Sequence, residues 1–173
     1  MGKVKRVKPV KLITGFIFKN EADLEKAQAA LISRFGRIDF ISEIIPFDQT
    51  DYYKAEMGLG LKRVFLSFHK LINPSRLPAI KRLTNNIEVK FSLRGNRLIN
   101  IDPGYLDLAK VVLASTKDYC HRVYLDKGVF AEITLFFRGD SFRPWEWTYP
   151  DYRKTEYIAV FNKIRELYLG RRI

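Results

Sequence analysis

The stretch from Asn100 to Arg122, NIDPGYLDLAKVVLASTKDYCHR, gathers most of the side chains in this chain that could do chemistry. Asp102 precedes Pro103-Gly104, and Ser115, Thr116, Lys117, Asp118, His121 and Arg122 follow an apolar run. Pro fixes φ and Gly permits positive φ, so the spacing predicts a turn that ends a strand and aims Asp102 out of the sheet edge. A carboxylate placed there could act as a general base or a cation ligand. Ser115, Thr116, Lys117 and Arg122 suit an anion: hydroxyls donate, Arg forks onto two oxygens and Lys acts as a point charge. Histidine is the side chain that most readily changes charge near neutrality, which fits His121 for acid–base work.

Cys120 and His121 do not read as a nucleophile and its base, because neighbours on a strand point to opposite faces. Cys120 reads as a small core residue and His69 as structural. Two histidines and one cysteine do not make a tetrahedral zinc site. The alternation Phe130, Glu132, Thr134 puts a charge on one face of an apolar strand. Together with Asp102 and Asp118, Glu132 could hold a divalent cation such as Mg²⁺, which takes oxygen ligands. Asp48, Asp51 and Glu56 lack the spacing of a calcium loop and read as capping a polar turn.

A second constellation is aromatic. In FRPWEWTYPDY (142–152), an extended backbone would line Trp145, Trp147 and Tyr149 on one face, with Arg138, Arg143 and Arg153 nearby. Rings interleaved with arginine stack nucleic-acid bases, although large rings also serve simply to fill a core.

These groups need elements to position them. KLITGFIF (11–18) reads as a buried strand. Asn20 is a helix N-cap, and Leu24, Ala27, Leu31 and Phe35 recur at helical spacing up to Gly36, predicting a helix over 21–35. Residues 38–47 read as a strand, 48–60 as a polar loop, and 62–72 as an edge or half-buried strand. Asn73-Pro74 opens a helix to about Asn86. The alternation Ile87, Val89, Phe91, Leu93 predicts a strand, Gly95-Asn96 a hairpin turn, and 97–102 its return. Residues 105–117 fit either a helix or a strand from Val111. Residues 121–125 and 129–137 form a hairpin, and a last helix covers about 152–169. The order predicts an α+β fold: a ferredoxin-like split βαβ core with an added C-terminal hairpin and helix.

With 173 residues, the chain is expected to form one domain, 1–173, carrying a basic N-terminal arm over 1–10. Hydrophobic residues make up 47% of it, enough for a folded core and too many for a disordered chain. The lone cysteine excludes an internal disulfide, and the apolar run after the basic N-terminus is broken by Lys19, Asn20 and Glu21. A cytoplasmic protein without a membrane span is therefore expected. The net charge of +12 is segregated. Residues 62–97 carry nine basic side chains against Glu88, whereas 38–61 carry five acids against Lys54. Phosphate-loop, dinucleotide and nucleophile-elbow signatures are absent.

FGRID (35–39), PFDQTDYYKAEMG (46–58), NIDPGY (100–105), LASTKDYCHRVYL (113–125), AEITL (131–135) and WTYPDY (147–152) together resemble the family called domain of unknown function 4416. The resemblance spans nearly the whole chain. It implies a single-domain architecture and brings no established activity.

The leading expectation is a site for an anionic, phosphate-bearing small molecule. Ser115, Thr116, Lys117 and Arg122 would hold the anion, His121 and Asp102 would handle protons, and no reaction class is favoured. The alternative is an RNA- or DNA-binding module using Lys62, Arg63, Lys81, Arg82, Arg94 and Arg97 with Trp145 and Trp147. All of it rests on Asp102 and the Lys117–Arg122 segment meeting at a shared hollow. Oligomeric state is not legible.

Overall fold

The computed structural model describes residues 2–170. Its centre is strand β1, Val10–Phe18, which is buried along its whole length. Helix α1 (Glu21–Phe35) follows, then the short strands β2 (Ile38–Ile41) and β3 (Ile45–Pro46), a single helical turn α2 (Lys54–Met57), and the long strand β4 (Lys62–Ile72). A 3₁₀ turn leads into α3 (Leu77–Lys90), and β5 (Ile99–Leu106), β6 (Lys110–Ser115), β7 (Val123–Asp126), β8 (Val129–Arg138) and β9 (Ser141–Pro144) come next. A second 3₁₀ turn over 150–153 opens into α4 (Thr155–Leu169). The described residues therefore form an α+β fold of nine strands and four helices.

The strands join in one antiparallel sheet ordered β2-β4-β1-β5-β6-β8-β7, with β3 added to β4 and β9 to β8. Side chains alternate across it. Leu12, Phe16 and Phe18 pack with Leu24, Ala27 and Leu31 of α1 and Ile80 and Ile87 of α3. Ile13 faces the other way and packs with Phe65, Leu135 and the α4 stripe Tyr157, Phe161, Ile164 and Tyr168. The sheet thus carries α1 and α3 on one face and α4 on the other, which explains why β1 is apolar on both faces apart from Lys11 and Thr14.

Several expectations are corrected. Strand β4 is not at an edge: it lies between β2 and β1, and most of it is buried. The region 38–47 is two short strands, not one. The alternation at 87–93 is not a strand, because α3 runs on to Lys90. Ile80, Thr84, Ile87 and Glu88 all lie on its buried face, and a short run satisfies both the two-residue and the helical period. Pro103-Gly104 is not a turn. Both residues lie inside β5, and Asp102 is mid-strand opposite Gly15. Gly104 is there because a Cβ at that position would meet the Val112 carbonyl oxygen at 2.3 Å. Residues 105–117 hold no helix: β5 ends at Leu106, a short connection follows, and β6 runs from Lys110 to Ser115. Cys120 is exposed, and Cys120-His121 sits in a turn closed by the Arg122 N–H donating to the Tyr119 carbonyl, not on a strand.

Candidate functional site

Strands β5 and β6 pair only from Leu106↔Val111 to Gly104↔Leu113. Beyond that point β6 stays with β8 as far as Ser115↔Phe130, while β5 stays with β1 as far as Ile99↔Phe18. Pro103, the next residue of β5, has no N–H to continue the ladder. Where the two strands part, a cavity of about 530 Å³ is lined by Asp102 from β5, Leu113, Ala114 and Ser115 from β6, and Glu132 from β8. Lys117, Tyr119, His121 and Arg122 close one side, the 47–53 loop another, and Trp147–Tyr152 a third. Asp102 and the Lys117–Arg122 segment therefore do line one hollow.

Its floor is a buried ion triad. Arg63, 3% exposed, donates through one terminal nitrogen to Asp102 at 3.0 Å and through the other to Asp151 at 2.9 Å. In sequence, Arg63 pairs with Ile17 and Asp102 with Gly15. The Arg63 side chain thus crosses β1 over Gly15, where a Cβ would lie 2.9 Å from its guanidinium nitrogen. The rings of Phe47, Phe65 and Tyr152 stand 5.0, 5.4 and 5.5 Å from the guanidinium carbon, so the desolvated cation also gains ring–cation attraction.

One guanidinium serves two carboxylates, and they part company. Burial pushes the Asp102 carboxyl up, but Arg63 and Lys81 more than offset this and hold it below the usual range. Asp151 moves upward, driven by burial and by the Asp102 charge against the pull of Arg63. Opposed shifts in neighbouring acids leave one ionised and the other more ready to keep a proton. Tyr152 and Tyr53 are driven up by burial, so both remain neutral phenols.

The wall centres on buried Glu132. It accepts from Arg122 at 3.0 Å, from the Thr134 hydroxyl at 3.3 Å, and meets His121 Nε2 at 3.1 Å. Arg122 also donates to the Ser115 hydroxyl and the Lys117 carbonyl, both at 2.9 Å, and to the Tyr149 hydroxyl. Arg122 is therefore saturated by the protein. Lys117 is not: its ammonium donates to the Tyr52 hydroxyl at 2.8 Å, lies 4.1 Å from that ring's centre and meets no carboxylate among the described residues.

The remaining sequence candidates fall elsewhere. Thr116 and Asp118 are exposed and outside the cavity lining. Among the described residues no group of three or more His, Cys, Asp or Glu side chains is placed to hold a metal, so Asp102, Asp118 and Glu132 are not gathered into one cluster. In the acidic loop, Asp48 meets Gln49 and Lys154, and Glu56 accepts three bonds from Arg97. Of the basic set, Arg63 and Lys81 are buried, Lys81 donating to the Ile101 carbonyl. Arg97 bridges Glu56, Glu88 and Asn100, and Lys62 pairs with Glu21. Only Arg82 and Arg94 of that set are exposed with no ion pair among the described residues. Trp145 stacks on Trp147, their planes 8° apart, and Trp147 lines the cavity.

The sequence reading missed Asp151, Tyr52, Tyr53 and Tyr152, named Tyr149 only as part of a stacking face, and placed Arg63 on a surface. Gly15 was the available signal: a lone glycine inside a buried strand marks a close approach by another group.

These features define an α+β protein in which one antiparallel sheet opens between two strands onto a ring-lined, ion-paired cavity. The family model for the domain of unknown function DUF4416 matches residues 8–168, and the chain belongs to that family. No curated protein matches the chain, and no solved structure does. No helix among the described residues is long and apolar enough to cross a membrane.

Proposed function

We propose that the cavity binds an anionic, phosphate-bearing small molecule, with Lys117 as the primary anion contact. The observation that carries this is the difference among the three cations of the lining. Arg63 and Arg122 are held by carboxylates, whereas among the described residues Lys117 at the mouth is engaged only by a tyrosine. A phosphate oxygen that displaces the Tyr52 hydroxyl gains a charge-assisted bond without breaking an ion pair. The Ser115 hydroxyl and His121 lie on the same lining. With Nε2 engaged by Glu132, His121 would carry any proton transfer through Nδ1. Asp102, held by Arg63, positions the floor in this reading.

Two further parts of the reading are structural and cellular. The order β2-β4-β1-β5, antiparallel and crossed by α1 and α3 on one face, supports a ferredoxin-like split βαβ core, with β6 to β9 and α4 added. The lone cysteine supports a cytoplasmic location, and the length of 173 residues supports a single domain.

The test is thermal stabilisation by inorganic phosphate and by sugar phosphates. At a hundred times Kd, a ligand stabilises by about 2.7 kcal/mol, which for a domain of this size raises Tm by roughly 5–10 °C. Lys117→Ala is expected to abolish the shift while leaving the unliganded Tm unchanged. A shift that survives Lys117→Ala refutes the assignment.

A further inference from the structure

Four large rings stand at the mouth of the cavity and are unusually wet: Tyr52, Tyr119, Tyr149 and Trp147 are 59, 52, 43 and 40% exposed. Exposed rings are ordinarily free to turn. Three of these are pinned at the polar end. The Tyr52 hydroxyl accepts from Lys117, the Tyr149 hydroxyl accepts from Arg122, and the Trp147 Nε1–H donates to the Ile133 carbonyl at 3.2 Å. The turn that carries Trp147 is fixed in its own right. Buried Thr148 accepts from the Trp145 N–H at 2.8 Å and donates to the Thr134 carbonyl at 2.6 Å.

The rings are also aligned. Tyr119 and His121 lie 5.9 Å apart between centres with planes 4° apart, His121 and Trp147 lie 6.0 Å apart at 16°, and Trp147 and Trp145 lie 5.0 Å apart at 8°. This is a four-ring tier in offset-stacked geometry, and it ends in the exposed Tyr119. Holding apolar rings in water and parallel costs hydrophobic burial that a core position would have supplied, and a ligand that covers them recovers it.

Charge points the same way. The lining holds three cations, Arg63, Lys117 and Arg122, against three carboxylates, Asp102, Glu132 and Asp151. A balanced cavity of about 530 Å³ does not suit an anion alone, and its size is that of pockets that enclose a whole organic ligand. Only the mouth, at Lys117, is left for negative charge.

We infer that the ligand joins its anionic group to a planar heteroaromatic ring, which the Tyr119–His121–Trp147 tier and its neighbouring rings receive while Lys117 holds the phosphate. This rests on the phosphate reading above and narrows it to ring-bearing phosphates. A flat ring continues a parallel tier; a puckered sugar does not. The carboxylate and hydroxyl groups around the rings supply hydrogen-bond partners for the polar edge that a heterocycle presents. Nucleotides and flavin phosphates share this chemistry.

The test is calorimetric titration of the full chain with adenosine monophosphate, flavin mononucleotide, ribose phosphate and inorganic phosphate, repeated on Tyr119→Leu and Trp147→Leu. At least one ring-bearing phosphate is expected to bind more tightly than ribose phosphate, and the stronger of the two identifies the ring type. Each variant is expected to weaken that ligand by about 5- to 150-fold, the range for losing one ring stack, while ribose phosphate is unaffected. Tyr119 is exposed, but its ring meets His121 and the Arg122 guanidinium, 4.7 Å from the ring centre, so an unliganded Tm equal to the parent's is the control that separates ring loss from misfolding in its variant. If ribose phosphate binds as tightly as both ring-bearing ligands and neither variant discriminates, the ring inference falls and the phosphate site stands. If none of the four binds, both fall.

Discussion

The Arg63 triad makes a quantitative prediction through a double-mutant cycle. Asp102→Asn removes one charge from the floor but leaves the guanidinium paired with Asp151. An ion-to-ion bond becomes one from the guanidinium to a neutral amide oxygen, at a cost of about 1 kcal/mol. Asp151→Asn costs less, roughly 0–1 kcal/mol, because its carboxyl is the one that burial and Asp102 already push toward the neutral form. The double variant is different in kind. Arg63 is then a guanidinium at 3% exposure with no anion, and an uncompensated buried charge costs about 3–5 kcal/mol. The double variant should therefore lose at least about 1 kcal/mol more than the sum of the singles, well outside the few tenths expected for independent sites. Urea unfolding at neutral pH measures all four corners, and an unchanged slope with denaturant confirms that only stability has moved. Strict additivity, or a single change as damaging as the double, would refute a shared guanidinium.

Three further outcomes follow from the same geometry. The difference in stability between Asp151→Asn and the parent should grow in favour of the variant as pH rises from about 4 toward neutrality. The sign comes from the raised Asp151 carboxyl, which makes the parent lose stability as pH climbs from the unfolded toward the folded value. Asp102→Asn should do the reverse: its held-down carboxyl stabilises the parent above the unfolded value, so the variant's deficit vanishes in acid. Gly15→Ala should destabilise by about 1–3 kcal/mol through the contacts with Arg63 and Phe65, measurable as a lower urea midpoint, and Gly15→Ala combined with Arg63→Met should cost less than the sum.

Much of the scaffold was legible because its signals are local. Helix α1 carries a four-residue apolar stripe and a terminal glycine within 20–36, and its bounds match the sequence reading, although Asn20 takes the cap position without a side-chain capping bond. Strand β4 matches in bounds but not in burial, since its Arg63, Ser67 and His69 look like a solvent face until partners from elsewhere in the chain are supplied. Asp39 accepts from Ser67, and Arg63 finds Asp102 and Asp151 at 39 and 88 residues' separation. No window of sequence holds such pairs. The Pro-Gly reading failed for a related reason: each residue alone marks a turn, but here Pro ends a ladder and Gly admits the neighbouring strand's carbonyl.

The same long-range pairing explains why net charge was a poor guide to the site. A chain of +12 with its bases gathered over 62–97 suggests a surface there that attracts anions. The fold spends its cations unevenly. Arg97 is shared by Glu56 and Glu88, Arg63 by two aspartates, and Arg122 by Glu132, each in or near the sheet where desolvation makes pairing obligatory. What distinguishes a binding cation from a structural one is therefore the absence of a carboxylate within reach at a concave position, not local charge density. By that criterion Arg82 and Arg94 are exposed outside the cavity lining, while Lys117 stands at the mouth of the cavity beside rings already held in place. The proposed anion contact is thus the one lining cation that no carboxylate among the described residues reaches.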